Sequence, residues 1–202
     1  MTRYFLAVPA ALLLSVGCAP AFKYMPGPPA TGQPALKSEI FFEGFEDKTT
    51  EPPPMNCPAS CCDTYNLAKA GSKCMLMPHL EPHILGHALM QELSGSGLFG
   101  PVSYIYPGEK PDRPGFLVRA ILHRVLLSSA RQTRLQPKLR LEFALDVSRM
   151  PGEHPVFTQR YETDCGLTMG GAFAAFGASI QSCLGKIYGS ATRDIAQRLQ
   201  RE

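Results

Sequence analysis

The sequence predicts an α+β domain in which two helices pack on one face of a mostly antiparallel sheet of about four to five strands. The clearest observation is the segment Lys138–Arg149, where apolar and polar residues alternate strictly, as in a half-buried strand. Two further segments, His83–Leu93 and Ala172–Leu199, carry apolar residues at helical spacing, and each must bury one stripe. The chain has 202 residues, 45% of them hydrophobic, which suffices for one core and is little for two domains.

The amino-terminal half of the domain is predicted to run strand, insert, helix, strand. Ser38–Phe45 is rich in phenylalanine, which favours a first strand. Glu46–Pro78 is predicted to be an irregular insert, because it holds three consecutive prolines and four cysteines. His83–Leu93 is predicted to be a helix that the following glycines end, and Val102–Tyr106 the second strand.

The carboxy-terminal half is predicted to be three strands and a helix. Gly115–Ala130 is apolar on both faces at its start, which is typical of a central strand. Lys138–Arg149 follows, the turn at Pro151–Pro155 reverses the chain, and Val156–Thr163 pairs back as a fifth strand. The helix Ala172–Leu199 completes the order β-(Cys-rich insert)-α-β-β-β-β-α.

Residues 1–17 have the pattern of a secretory signal peptide, with a basic start, a short apolar run and small residues before Cys18. The Gly17-Cys18 junction resembles the lipobox of bacterial lipoproteins, in which the cysteine is acylated and becomes the first residue of the mature chain. This resemblance implies lipidation of Cys18, with palmitate among the acyl groups. Ala19 in the next position implies the outer membrane, periplasmic side. The alternative is an ordinary signal cleaved nearby, with Cys18 as a structural thiol.

Residues 18–35 are predicted to be a Pro-rich tether that starts at the lipidated cysteine. Prolines and glycines recur through this stretch, which is typical of an extended, semi-rigid spacer rather than part of a core. We therefore assign residues 36–202 to a single α/β domain, with the insert at 46–78.

The charge balance disfavours a nucleic-acid binder. Lys and Arg number 20 against 17 Asp and Glu, a formal net charge of +3, and the sequence has no strongly basic stripe. Gly166–Gly185 is an uncharged stretch long enough to cross a membrane, but its glycines and polar residues favour a loop that enters a core helix.

Six cysteines remain when Cys18 is set aside, and an even number in an exported protein predicts disulfides. The candidates are Cys57, Cys61, Cys62, Cys74, Cys165 and Cys183. Spacing does not choose one pairing, but we favour Cys165 with Cys183, which leaves the insert cysteines to pair among themselves. The insert would then be stapled by its own bridges.

A metal site is the alternative use of these residues. His83 and His87 are spaced i and i+4 on the polar side of the first helix, and that spacing can chelate zinc with cysteine thiolates. The cysteine spacing fits no standard zinc motif, and an oxidising compartment favours disulfides. We therefore expect no metal and no cofactor.

No catalytic motif is present in the sequence, so we expect a protein that is not an enzyme. Gly95–Gly100 matches the dinucleotide-binding pattern G-x-G-x-x-G letter for letter. That site needs the loop to follow a strand and open a helix, whereas here the loop follows a helix and leads into a strand. A helix C-cap and turn is the better interpretation.

Three segments carry a fold-level resemblance: Ile40–Phe45, Leu89–Phe99 leading into a strand, and Gly115–Ala120. In this order they resemble the ABC-type transport auxiliary lipoproteins, the LPS-assembly lipoprotein and the amino-terminal domain of the Tol-system propeller protein. The resemblance implies a non-enzymatic, lipid-anchored accessory that contacts a protein partner in an envelope transport or assembly complex. The alternative is a periplasmic ligand or metal binder that uses insert cysteines with His83 and His87.

Overall fold

A computed structural model describes residues 23–29, 36–49, 64–66, 80–128, 138–168 and 173–201. Six strands and two helices lie within these ranges. In chain order they are β1 (Glu39–Asp47), β2 (Thr64–Asn66), α1 (Pro82–Gly95), β3 (Val102–Tyr104), β4 (Gly115–Ser128), β5 (Lys138–Met150), β6 (His154–Gly166) and α2 (Phe173–Leu199).

The strands form one mixed sheet in the order β3-β1-β4-β5-β6, with β2 paired to β4. Strand β1 is parallel to both β3 and β4, whereas the pairs β4–β5 and β5–β6 are antiparallel. The α+β class is confirmed, and the sheet differs from the expected one in this parallel part. The reason is α1, which carries the chain from the end of β1 back to the start of β3, so that the two strands run the same way.

The strand boundaries follow the periodicity of the sequence closely. Strand β4 is central, and Phe116, Leu117 and Val118 are buried on both of its faces. Strand β6 is longer than predicted at both ends, because β5 gives it a partner over its whole length. The short strand β2 lies within the predicted irregular insert and pairs antiparallel with the end of β4.

Both helices pack on one face of the sheet and share one core. Leu85, Leu89 and Leu93 of α1 and Ile187, Ala191 and Ile195 of α2 belong to the same buried cluster. Tyr188 lies at its centre, fully buried, where its hydroxyl donates to the Leu85 carbonyl at 3.2 Å. The Phe143 ring of β5 meets the Tyr188 ring edge to face at 5.7 Å. The helix layer and the sheet therefore form one packing unit.

The other face of the sheet is covered by side chains of the strands and loops themselves. Phe41, Ile105, Leu117 and Met150 form a small apolar cluster there. Beside it, Arg119 pairs with Glu43 at 2.5 Å and with Glu153 at 3.5 Å. These ion pairs are partly buried, with the Glu43 side chain 13% exposed. They leave this face with its charges largely paired, in contrast to the helix layer.

The glycines of Gly95–Gly100 serve the turn that the sequence analysis favours. Helix α1 ends at Gly95, and the Ser96 N–H donates to the Glu92 carbonyl at 2.9 Å. Gly97 adopts φ +69°, which a glycine reaches without strain. A Cβ on Gly100 would lie 2.7 Å from the Lys37 carbonyl oxygen, so only glycine fits where the loop crosses the chain before β1.

A disulfide joins the end of β6 to α2. It links Cys165 to Cys183, whose Cα atoms are 6.0 Å apart, and this is the pairing favoured from the sequence. The insert cysteines Cys57, Cys61, Cys62 and Cys74 lie outside the described residues. Neither α1 nor α2, as far as the structure describes them, has a stretch apolar enough to cross a membrane.

Candidate functional site

The feature that the fold sets apart is a groove between the two helices, occupied by a piece of the predicted tether. We call residues 23–29 the strap. It runs without helix or strand structure across the carboxy-terminal part of α1 and the amino-terminal half of α2. The strap lies in the sequence between the predicted lipidation site and the domain. It is the described segment through which an anchor at Cys18 would act.

Tyr24 fixes the strap in the core. Its side chain is only 4% exposed, and its ring meets the Tyr188 ring edge to face at 5.9 Å. Its hydroxyl donates to Oε2 of Glu92 at 2.8 Å. The proline and glycine content of the tether predicts that all of it lies outside the core. The structure differs at Tyr24. Burial of its aromatic ring between two helices stabilises the fold by more than the ordering of a short proline-rich segment costs.

Glu92 is a buried carboxylate, 8% exposed, on the side of α1 that faces α2. It accepts the Tyr24 hydroxyl and, at 3.4 Å, the backbone N–H of Gly27. Burial raises the pKa of the Tyr24 hydroxyl, and the Glu92 carboxylate raises it further. Burial also raises the pKa of Tyr188 well above its ordinary value. Both hydroxyls therefore stay protonated at neutral pH and act as hydrogen-bond donors.

The rest of the strap is held by polar contacts and close packing. The Met25 N–H donates to Oε1 of Gln181 at 3.1 Å, and Nε2 of Gln181 donates to the Met25 carbonyl. A Cβ on Gly95 would lie 3.0 Å from the side chain of Pro26, so the end of α1 lets the strap approach closely. The Gln181 bonds hold the backbone of the strap and the Gly95 contact holds its Pro26 ring, so together they position a peptide rather than a small reactive group.

The structure places His83 and His87, the candidate ligands of the alternative metal site, on the exposed side of α1. Nδ1 of His83 lies 3.2 Å from Oε2 of Glu81, and the His87 ring stacks nearly parallel to the Tyr104 ring with 6.5 Å between centroids. Across the described ranges, no group of three or more His, Cys, Asp or Glu side chains could hold a metal ion. Cys18, like the insert cysteines, lies outside those ranges.

An exposed aromatic patch lies at the β3 edge of the sheet, beside α1. We define it as Tyr104, Tyr106 and His87. The two tyrosine side chains are 48% and 75% exposed, and their rings meet edge to face at 6.1 Å. Exposed aromatic side chains are enriched where proteins bind other proteins. The patch is thus a second candidate surface, separate from the groove.

Tyr24, Glu92 and Gln181 were not singled out in the sequence. Two signals for them are present in it. Glu92 follows Leu85, Ala88 and Leu89 on the apolar stripe of α1, where an acidic residue needs a buried partner. Tyr24 is an aromatic residue within a stretch of prolines and glycines, where a spacer has no need of one.

The buried tyrosines predict a loss of stability in alkaline solution. In the unfolded chain a tyrosine ionises near its ordinary pKa of about 10, whereas Tyr24 and Tyr188 have raised pKa values in the fold. Above that pH the unfolded chain binds fewer protons, so the free energy of unfolding falls as pH rises, by at most about 1.4 kcal/mol per pH unit for each tyrosine.

Urea unfolding between pH 8 and 11 measures this fall. Tyr24→Phe should make it shallower, while Tyr106→Phe, which changes an exposed ring, should leave it as steep as in the wild type. Equal steepness in all three proteins would contradict the prediction.

The fold is similar to that of solved bacterial proteins. No family model matches the sequence, and no curated protein matches it. The crystal structure of protein XCC0632 from Xanthomonas campestris, of the family DUF330, matches with a TM-score of 0.60 and 12% identity over 90% of this chain and 95% of that chain. The hypothetical protein CT253 from Chlamydia trachomatis matches with a TM-score of 0.46 and 10% identity over 81% of this chain and 96% of that chain. The first likeness establishes the fold and leaves the activity open.

Proposed function

We propose that this protein is a non-enzymatic, lipid-anchored accessory of an envelope transport or assembly complex, attached to the outer membrane through Cys18. The observation that carries the proposal is the strap. Tyr24 is buried in the core only six positions after Cys18. An anchor at that cysteine would hold the domain against the membrane in a fixed orientation, and a fixed orientation is what an accessory that must meet a membrane complex requires.

The length of chain sets how close the domain must lie. Lys23, the first residue of the strap, is five positions after Cys18, with four residues between them. Fully extended, this stretch of chain spans at most about 18 Å. The groove between α1 and α2 would therefore lie near the bilayer. The domain would be held at the membrane surface rather than on a long flexible linker.

The aromatic patch is the surface we assign to the protein partner. Tyr104 and Tyr106 offer exposed ring area with a hydroxyl at one end, which suits a contact that is partly apolar and partly wet. Tyr104 is held in place by the stacked His87 ring and by its packing on Gly44. A preorganised aromatic contact loses little side-chain entropy when a partner binds.

Lipidation is tested by Cys18→Ser. We expect the wild-type protein to carry acyl groups on Cys18 by mass spectrometry and to sediment with the outer membrane. The variant should lose the acyl groups and no longer sediment with the outer membrane, because the acyl chains on Cys18 are what would hold the domain there. A Cys18→Ser protein that sediments like the wild type would contradict the anchor.

The partner is tested by purifying the lipidated protein from gently solubilised envelopes. We expect a membrane transport or assembly component in stoichiometric amount with the wild type, and its loss with Tyr104→Ala/Tyr106→Ala. The control is Lys48→Ala/Lys110→Ala, two exposed positions outside the patch, which should retain the component. Recovery of the wild type alone, even after cross-linking, would contradict the accessory role and favour a self-contained binding protein.

A further inference from the structure

The outward side of α2 carries a line of basic residues. Lys186 and Arg193 are exposed on α2, on the side opposite Ile187, Ala191 and Ile195, which face the core, and Arg201 is exposed just beyond the end of the helix. The other exposed residues between Arg193 and Arg201 are Gln197, Arg198 and Gln200, and none of them is acidic. Within the part of α2 that the structure describes, this line holds no carboxylate.

The cations of this line differ from those of the sheet. Arg113, Arg119 and Arg124 on the sheet side each pair with a glutamate. Lys186, Arg193 and Arg201 form no ion pair with any carboxylate in the described ranges, and Arg193 donates only to the Gly189 carbonyl at 3.0 Å. Among the residues that the structure describes, the line therefore presents positive charge without a paired carboxylate.

The exposed residues of α1 add no carboxylate to this surface. They are His83, His87, Gln91 and Ser94. Glu92 is buried beneath the strap with Tyr24, and Glu81 is near His83 at the start of the helix. Asp194 on α2 lies to the side, where it acts on Tyr161. The helix layer is thus basic along α2 and nearly neutral along α1.

The strap adds a cation and an apolar side chain to the same layer. Lys23 and Met25 are exposed on either side of the buried Tyr24, and the Met25 side chain is 65% exposed. An exposed methionine beside lysines and arginines is a combination that suits the interface of a membrane, where an apolar side chain enters below the headgroups.

We infer that the helix layer binds the anionic phospholipid surface of the membrane that holds the protein, through Lys186, Arg193 and Arg201 of the α2 line and Lys23 and Met25 of the strap. The inference rests on the proposed lipid anchor, because Cys18 lies within five residues of Lys23 and so brings this layer to the bilayer. Charge complementarity selects the occupant: phospholipid phosphates match a surface whose cations form no ion pair with any carboxylate that the structure describes.

The test uses the mature lipidated protein in vesicles of phosphatidylcholine, or of phosphatidylcholine and phosphatidylglycerol in equal parts. Acetylation of individual lysines is followed by mass spectrometry. We expect acetylation of Lys186 and Lys23 to slow by about fivefold on the anionic vesicles, as the gain for one cation at such a surface implies. The acetylation rates of Lys48 and Lys110 should be the same on both kinds of vesicle.

Matched charge variants locate the effect. In Lys186→Glu/Arg193→Glu, acetylation of Lys23 should become equal on the two kinds of vesicle. Lys48→Glu/Lys110→Glu makes the same change in net charge on the sheet side and should leave the protection of Lys186 intact. Circular dichroism of both variants checks that the helices are retained.

Equal acetylation of Lys186 on both kinds of vesicle would overturn the inference. So would protection on pure phosphatidylcholine that grows with protein density, because a second copy of the chain would then be the occupant. Failure of the anchor has a different signature: a protein without acyl groups would not float with phosphatidylcholine vesicles at all.

Discussion

Replacing Tyr24 with alanine is expected to lower the free energy of unfolding by about 3 kcal/mol, in the range found when a buried aromatic ring is removed. The ring lies against Tyr188 in the core, and its loss leaves a cavity between the helices. It also deprives Glu92 of its 2.8 Å hydrogen bond. For a protein of this size we expect a fall in Tm of about 6–12 °C.

The strap itself should be released by this change. Amide hydrogen exchange of residues 23–29 should rise in Tyr24→Ala, while exchange in β4 and β5 stays close to that of the wild type. Met25→Ala is the control, because it truncates an exposed neighbour and keeps Tyr24 in place. A Tyr24→Ala protein with unchanged Tm would show that the strap is not part of the packed core.

The hydroxyl can be separated from the ring. Tyr24→Phe keeps the ring and leaves Glu92 with the Gly27 N–H at 3.4 Å. Because a buried charged acceptor loses its donor, we expect a cost of about 1–3 kcal/mol. Adding Glu92→Leu to Tyr24→Phe should recover part of this loss, since the buried carboxylate is then absent. A double variant no more stable than Tyr24→Phe would argue against the pairing.

Removing the Cys165–Cys183 disulfide is the second large change. The bridge closes a segment of 18 residues in sequence. A loop of that length constrains the unfolded chain enough to contribute about 3 kcal/mol. We expect the free energy of unfolding of Cys165→Ala/Cys183→Ala, measured in urea, to be lower by that amount. Unfolding should remain cooperative, because α2 contributes many buried residues to the core beyond the bridge.

The control for this experiment is the paired serine variant, Cys165→Ser/Cys183→Ser. The two variants share the loss of the constraint and differ in polarity at Cys183, which is 2% exposed. The serine protein should therefore be the less stable of the two. A loss below about 1 kcal/mol in the alanine protein would show that the constraint on the unfolded chain is not what the bridge contributes.

Under the proposed function, the strap limits how the domain can move relative to an anchor at Cys18. A proline-rich spacer would let the domain move over many orientations, whereas Tyr24, Met25 and Pro26 each contact a helix. Under the proposed function, the helix layer faces the bilayer and the aromatic patch at the β3 edge remains available to a protein partner.

Local pattern alone predicted most of the secondary structure. The alternation in Lys138–Arg149 and the helical spacing of apolar residues in His83–Leu93 follow directly from strand and helix periods. A strand or helix period can be recognised from a short stretch of sequence. The observed bounds of β5, α1 and α2 therefore lie within a few residues of the predicted ones. The prediction that Gly95–Gly100 forms a turn also depends on local sequence, because the glycines follow a helix and lead into a strand.

Those local patterns do not predict the candidate site. Tyr24 and Glu92 are 68 positions apart, and Met25 and Gln181 are 156 apart. Nothing in the local sequence of a proline-rich stretch states which distant surface will hold it. The signals that do exist, an acidic residue on an apolar stripe and an aromatic residue in a spacer, indicate that a partner is needed without identifying it.

The sequence by itself determined the order of the two helices and of every strand except β2, and the glycine turn after α1, because each depends on local period. It favoured Cys183 as the partner of Cys165 without excluding the other pairings. The tertiary structure alone decided that β1 is parallel to both of its neighbours and that the strap lies between α1 and α2. The physical reason is that strand direction and groove occupancy arise from contacts between distant segments, whose energy exists only when the whole core is assembled.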